Sequence, residues 1–413
     1  MKILLVPLGS AGDVHPYIGV GLALRARGHD VAIVTSPTFA PLIERVGLRL
    51  IPLGTVDQFD AITRHPDLWN QHKGLGVIAE GIKRSSRELY RIIEKERRSG
   101  DFVLIGSGLA FAARVAHESL DLRFVTMHLQ PSCLVSVHDS PVLHPWLSGI
   151  NSLPLAAKRP LLALMDRAAD AILGSAAREL CTEHGLPPAR HITSRWWHSP
   201  QRVIGLFPDW FAPPQPDWPN RVFLTGFPLY DETGAAEVPP DVARFLDTGT
   251  PPVVYTAGSA NLQATRFYAA AIEASQLLGQ RAILLTRYKD QLPASLPDGV
   301  RHFDYVPFSQ VLHRSAAVVH HGGIGTAAQG LAAGRPQLIM PMTFDQPDNA
   351  RRLVGLGVAR TLQPRAFRGA AVASAIDTLL GSTSVSDRCA DLARRVRCDD
   401  PLTRTCTLIE DLG

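Results

Sequence analysis

The sequence predicts an α/β protein built as two doubly wound, parallel-sheet domains in tandem. Three observations predict it. Short all-apolar runs alternate with helical stretches from the first residue onward. A polar, proline-bearing stretch interrupts that alternation midway, after which it restarts. The chain has 413 residues, too many for one ordinary hydrophobic core. Apolar strands that alternate with helices require a sheet covered on both faces.

Ile3-Leu4-Leu5-Val6 reads as a buried strand, followed by a glycine turn and a helix from Pro16 to Arg27 that stops at Gly28. Strands follow at Val31–Val34 and Arg49–Pro52, then helix over Leu75–Arg98. Phe102–Ile105 and Phe124–Thr126 are strands flanking a helix around Ala110–Ser119. From Asp139 to Pro200 the pattern blurs into helix, and Val222–Thr225 closes the half as a strand. The boundary is expected in the next stretch, which has no apolar period long enough for a core. The expected division is residues 1–228 for an acceptor-binding domain, 229–252 for a linker and 253–413 for a donor-binding domain. The last helix is left able to pack back on the first domain. In the second half the strands are Val253–Tyr255, Ala282–Thr286, Val300–Phe303, Ala317–His320 and Gln337–Met340, with helices at Thr265–Leu278 and Thr326–Ala333 between them. Ligands of such sheets bind beyond the carboxyl ends of the strands, so a cleft between the halves is expected.

Composition removes several classes. Lys+Arg number 42 against Asp+Glu 38, a balance that does not suit nucleic-acid binding. Cys133, Cys181, Cys389, Cys398 and Cys406 are scattered and odd in number, which suits free thiols in a reducing cytoplasm better than a disulfide frame or a zinc site. The apolar run after Met1-Lys2 is too short for a signal segment. No run of 18 apolar residues occurs, so no transmembrane segment is expected. Basic residues Lys83, Arg84, Arg87, Arg91, Lys95, Arg97 and Arg98 interleave with Glu88, Glu94 and Glu96, which favours a solvated face and leaves peripheral membrane contact as the lesser reading.

The chemistry concentrates between Tyr305 and Arg352. A strand ends at His320-His321, glycines follow where a backbone can approach a ligand closely, and a helix then begins. The first amides of a helix have no intrahelical partner and carry the positive end of its dipole, so an anion is favoured there by roughly 0.3–2 kcal/mol. His321 can add a hydrogen bond to a phosphate oxygen. His320 reads better as a satisfied strand-end histidine. Adjacent strand residues point to opposite faces, which disfavours a zinc pair. Asp345-Gln346 follows the next strand; a carboxylate beside an amide can read vicinal sugar hydroxyls, or can cap the helix before Pro347. Ser259, after another strand-end glycine, is either a diphosphate donor or an ordinary turn residue. In the first half the turn GSAGDVHP, residues 9–16, presents Asp13 at the sheet edge. Asp13 either takes a proton from an attacking hydroxyl or caps the next helix. Phe59, Ile62 and Trp69 in one loop, with Met127, Leu129, Leu134 and Trp146 in another, are apolar residues out of period that could line a pocket for a lipophilic acceptor.

These motifs together resemble the donor signature of family-1 glycosyltransferases, the class with two Rossmann-like domains facing a cleft (GT-B). The residues 9–16 turn resembles that of sterol, glycopeptide and rhamnolipid glycosyltransferases, the bacterial rhamnosyltransferase of rhamnolipid synthesis among them. The resemblance implies that His321 binds the α-phosphate, that Asp345 and Gln346 hold the sugar, that Gly325 and Thr326 contact phosphate, and that the backbone of Val306 contacts the base. Ser10, Gly12, Ser259, Gly323, Tyr305 and Gln329 complete the expected donor set. Tyr305 stands where many members have a base-stacking tryptophan, and Gln329 where plant members have a ribose-binding glutamate, so UDP and dTDP both remain open. Asp13 matches the proposed base, with His15 as the competing candidate. The implied reaction is an inverting, metal-independent hexosyl transfer from a nucleotide sugar to a hydroxyl, with no resident cofactor. Two other readings are a sugar-nucleotide epimerase or phosphorylase on the same fold, and a non-catalytic accessory subunit.

Overall fold

The computed structural model describes residues 1–97, 101–232 and 239–412. The chain divides into two units, each packed mainly within itself. One comprises Met1–Pro228 together with the segment from Asp400, and the other Leu229–Asp399.

The first unit holds a seven-stranded sheet made of β1 (Lys2–Val6), β2 (Asp30–Thr35), β3 (Arg49–Pro52), β4 (Phe102–Gly106), β5 (Arg123–His128), β6 (Arg202–Gly205) and β7 (Val222–Leu224). The order is β3-β2-β1-β4-β5-β6-β7 and every pairing is parallel. Ile3 lies level with Val31 on one side and Val103 on the other. The central strands are buried on both faces, which is why they read as unbroken apolar runs. Leu104, Phe111, Val115 and Phe124 pack there with Leu89 and Ile93 from the helix Gly74–Glu96. Three of its basic residues are paired on the surface: Lys83 meets Glu179 at 2.6 Å, Arg84 meets Glu80 at 2.8 Å, and Arg87 meets Glu183. Arg98 lies outside the described residues. The blurred region resolves into one long helix, Leu155–Glu183, which continues through Pro160.

The helix Pro401–Glu410 belongs to this first unit, not to the 253–413 domain. Glu410 accepts from Arg27 Nε and contacts His29 Nε2, each at 2.8 Å, and Thr405 Oγ1 donates to Thr225 Oγ1 at 2.8 Å. Arg27 holds the Glu410 carboxyl down to about 2.

The second unit has β8 (Val253–Thr256), β9 (Ala282–Leu285), β10 (Val300–Phe303), β11 (Ala317–His320), β12 (Gln337–Ile339) and β13 (Ala359–Thr361), in the order β10-β9-β8-β11-β12-β13, again all parallel. The stretch 229–252 is not a free linker. Its helix Pro240–Asp247 buries Val242 and Leu246 against Val254, Ile283 and Val318, and Asp231 accepts the Ser309 amide at 2.6 Å. Residues 233–238 of that stretch lie outside the described residues.

Each sheet reverses its strand order once, between β1 and β4 and between β8 and β11. In doubly wound sheets this switch point is where strand-end loops part to admit a ligand.

Candidate active site

In the second unit the loops after β8 and β11 meet at the switch point. The His321 ring lies against two glycines. A Cβ on Gly258 would fall 2.9 Å from the ring's Cε1, and one on Gly323 would fall 2.5 Å from Nε2. Gly258 also has φ +97, a backbone that other residues rarely adopt. The glycines therefore make room for the imidazole. His321 as a residue is half-buried, but its Nδ1 is enclosed and has no hydrogen-bond partner among the described residues. Burial brings its pKa down to about 4, so the ring is neutral at pH 7.

His320 is the satisfied histidine. Its Nδ1 accepts the Gly322 amide at 3.1 Å, and its Nε2 faces Gln337 Oε1 at 2.8 Å. Gln337 Nε2 in turn donates to Ala327 O at 3.2 Å, tying strand end to helix. Burial first, and His321 second, bring the His320 pKa down to about 3.

The helix after this turn is Ile324–Ala332, two residues earlier than expected, with Gly323 as its N-cap. Glycine supplies no capping side chain. The first helical bond is Ala327 N–H to Gly323 O, so the amides of Ile324, Gly325 and Thr326 have no intrahelical acceptor. Gly325 and Thr326 lie in the first turn, Gly325 exposed and Thr326 half-buried. Gln329 is buried, as are its helix neighbours Ala327, Ala328, Gly330 and Leu331. Ser259 is exposed, and its carbonyl accepts from Tyr288 at 3.4 Å. Val306 is buried. The Tyr305 hydroxyl donates to Asp231 O at 3.0 Å, and the Arg287 guanidinium lies 5.5 Å from its ring centre. Burial, then Glu232 and Asp231, push the Tyr305 pKa upward.

Asp345 and Gln346 open the helix Gln346–Gly355. Gln346 Oε1 accepts from the Met342 amide at 2.9 Å and the Thr343 amide at 3.4 Å. Asp345 Oδ2 accepts from Asn349 Nδ2 at 2.6 Å. Sequence reasoning missed Asn349 and Gln337. The signal for Asn349 was its place four residues after Asp345, one helical turn on.

In the first unit the helix after β1 starts at Ala11 rather than Pro16, with Ser10 as N-cap and Asp13 in its first turn. Asp13 Oδ2 accepts from the Ser10 amide at 2.7 Å and from Ser10 Oγ at 3.1 Å. This half of a capping box outweighs the lost amide at Pro16 and lengthens the helix. Gly9, at φ +137, closes the turn so tightly that a Cβ there would lie 2.2 Å from Asp13 Oδ2. Asp13 Oδ1 makes no hydrogen bond among the described residues. Burial raises the Asp13 pKa and the two Ser10 bonds oppose the rise. Tyr17, four residues on, donates to Met127 O at 3.0 Å and fixes the helix to β5. Gly12 is exposed and Ser10 half-buried. His15, two residues on in the same helix, is half-buried too.

The seven acceptor candidates differ in exposure. Met127 and Leu134 are 1% and 2% exposed, closed into the unit's packing, whereas Trp146 is 64% exposed. Phe59 packs edge-on against Phe39 at 5.6 Å, and Trp69 is half-buried. Asp166, Asp170 and His191 are the one described group spaced for a metal ion. Asp170 already accepts the His191 and Ile192 amides at 2.8 Å each, and Asp166 contacts His191 Nδ1 at 2.7 Å.

Two doubly wound parallel units, each with a glycine turn at its switch point, define the GT-B class. Residues 3–138 match the glycosyltransferase family 28 N-terminal domain, and residues 278–404 match the erythromycin biosynthesis protein CIII-like C-terminal domain. The chain is 28% identical to O-mycaminosyltylonolide 6-deoxyallosyltransferase of Streptomyces fradiae, over 100% of this chain and 97% of that protein. Among solved structures it is similar to the glycotransferase of kitacinnamycin, with a TM-score of 0.76 at 22% identity over 100% and 98% of the two chains. It is also similar to the spinosyn rhamnosyltransferase SpnG complexed with thymidine diphosphate, with a TM-score of 0.69 at 22% identity over 99% and 100%. The chain belongs to the glycosyltransferases of the GT-B, family-1 type and is a transferase enzyme. No helix of its described residues is long and apolar enough to cross a membrane.

Proposed function

We propose that this enzyme moves a hexosyl group from a UDP- or dTDP-sugar to a hydroxyl of a lipophilic small molecule, with inversion at the anomeric carbon. The observation that carries the reading is the His321 ring seated between Gly258 and Gly323 beside uncapped helix amides. That arrangement offers fixed neutral donors and a positive dipole end to a diphosphate. The thymidine diphosphate named with one structural relative, and the natural-product sugars and aglycones named with the others, favour a dTDP-sugar and a natural-product acceptor.

In this reading Asp345 and Gln346 hold sugar hydroxyls, while His321, Thr326, Ser259 and the first amides of Ile324–Ala332 hold the diphosphate. Ser10, Gly12, Tyr305 and the Val306 backbone are the remaining donor contacts. Asp13 Oδ1 takes the acceptor proton as the acceptor oxygen attacks the anomeric carbon from the side opposite the leaving group. The bond to the diphosphate breaks, and the nucleoside diphosphate leaves with the electron pair. Donors aimed at that oxygen stabilise charge that grows only in the transition state, which is what accelerates transfer. Burial of Asp13 makes it a better base than a solvated aspartate. No resident cofactor is part of the scheme, and cysteines that form no disulfide suit a cytoplasmic setting.

The test uses water as the acceptor. The chain is incubated with dTDP-α-glucose and with UDP-α-glucose, and the first glucose released is observed by proton NMR before it mutarotates. β-Glucose with free nucleoside diphosphate is expected; α-glucose would overturn inversion, and intact donor with both nucleotides would overturn the donor assignment.

A further inference from the structure

Asp345 is held from both sides along the chain. Before it, Phe344 adopts φ 59, a left-handed backbone uncommon for a bulky residue, which turns the loop sharply into the helix. After it, Asn349 sits one turn into that helix and is fully buried. Asn349 Nδ2 donates to Asp345 Oδ2 at 2.6 Å and to Gly322 O at 3.0 Å. Gly322 lies between His321 and the cap Gly323. One amide nitrogen thus joins the carboxylate to the backbone of the histidine-glycine turn. The amide cannot be turned over, since its oxygen would then face two acceptors. A carboxylate held by a buried, fixed donor has lost its rotational freedom before any ligand arrives, so binding need not freeze it.

We infer that Asn349 is a positioning residue for sugar recognition: it registers the Asp345 carboxylate against the diphosphate turn, so that the sugar is read at a fixed offset from the phosphates. This rests on the proposed donor roles of Asp345 and His321. A residue that merely held the fold would affect nucleotide and nucleotide sugar alike. A residue that sets Asp345 affects only the ligand that carries the sugar.

The experiment titrates dTDP and dTDP-glucose into the parent chain, Asn349→Ala, Asp345→Ala and the double variant. For Asn349→Ala, dTDP affinity is expected to stay within about twofold while dTDP-glucose affinity falls about tenfold, the order of a lost hydrogen bond to a charged group. The double variant is expected to bind dTDP-glucose no more weakly than Asp345→Ala, because the two side chains act as one unit. Asn349→Asp keeps the side-chain volume while replacing the donor by an acceptor, and is expected to lose dTDP-glucose at least as strongly with dTDP again spared. Equal losses of both ligands, or losses that multiply in the double variant, would overturn the inference alone. A parent chain that binds neither ligand would overturn the donor reading and the inference with it.

Discussion

The two units run the same piece of chain to opposite ends. In each, a buried parallel strand at the switch point enters a glycine turn and then a helix: β1 into Ala11–Ala26, and β11 into Ile324–Ala332. In the first unit Ser10 caps the helix, and Asp13 reaches back to the Ser10 amide and hydroxyl. The helix start is occupied by its own carboxylate. In the second unit the cap is Gly323, which has no side chain, and a neutral histidine stands beside the open amides. The helix start is left without a side-chain cap. In the proposed function, one supersecondary unit thus serves as the holder of a base or of a phosphate according to whether its first turn satisfies itself.

The largest way to break this contrast is Asp13→Asn. Turnover is expected to fall by about 10²–10⁴, the usual contribution of a positioned base, with donor affinity little changed. Steady-state rates with a parallel donor titration check it; a nearly unaltered rate would move the base to His15 or water. The same residue sets the pH profile. Because burial raises its pKa, the carboxylate form is lost as pH falls through a value above the ordinary aspartate range of about 3.9, so the acid limb of kcat is expected above that value and absent in Asp13→Asn. A smaller effect sharpens the contrast. Ser10→Ala removes the hydroxyl that favours the charged carboxylate, so the acid limb should move upward. Loss of that hydrogen bond should lower stability by about 1 kcal/mol, read as a lower midpoint in urea. An acid limb that stayed still would show that the hydroxyl does not govern Asp13.

Much of this contrast was legible in the chain itself. The strands stood out because buried parallel strands are continuous apolar runs, and Val300–Phe303 and Ala317–His320 fall where the sequence predicts them. Helix starts were legible to within a few residues only. Pro16 and Thr326 looked like first residues, yet the capping pair of Ser10 and Asp13 and the bare cap at Gly323 begin those helices earlier. The helix Pro240–Asp247 was hidden because two apolar residues one turn apart, Val242 and Leu246, suffice to dock it on a core supplied by strands far along the chain. The His321 seat was only half legible. The glycines of its own turn were visible, but Gly258 comes from a different strand end, and only the parallel pairing of β8 with β11 brings it under the ring. Asn349 was overlooked for a similar reason, since its second partner, Gly322, lies 27 residues back.

The claim that an uncapped helix start beside a neutral histidine receives a diphosphate is tested most directly by calorimetric titration of dTDP into the parent chain and His321→Ala. One site is expected in the parent, weakened about 10- to 100-fold in the variant, as for one lost hydrogen bond to a charged group in a water-poor site. Equal affinity in the two proteins would contradict the account.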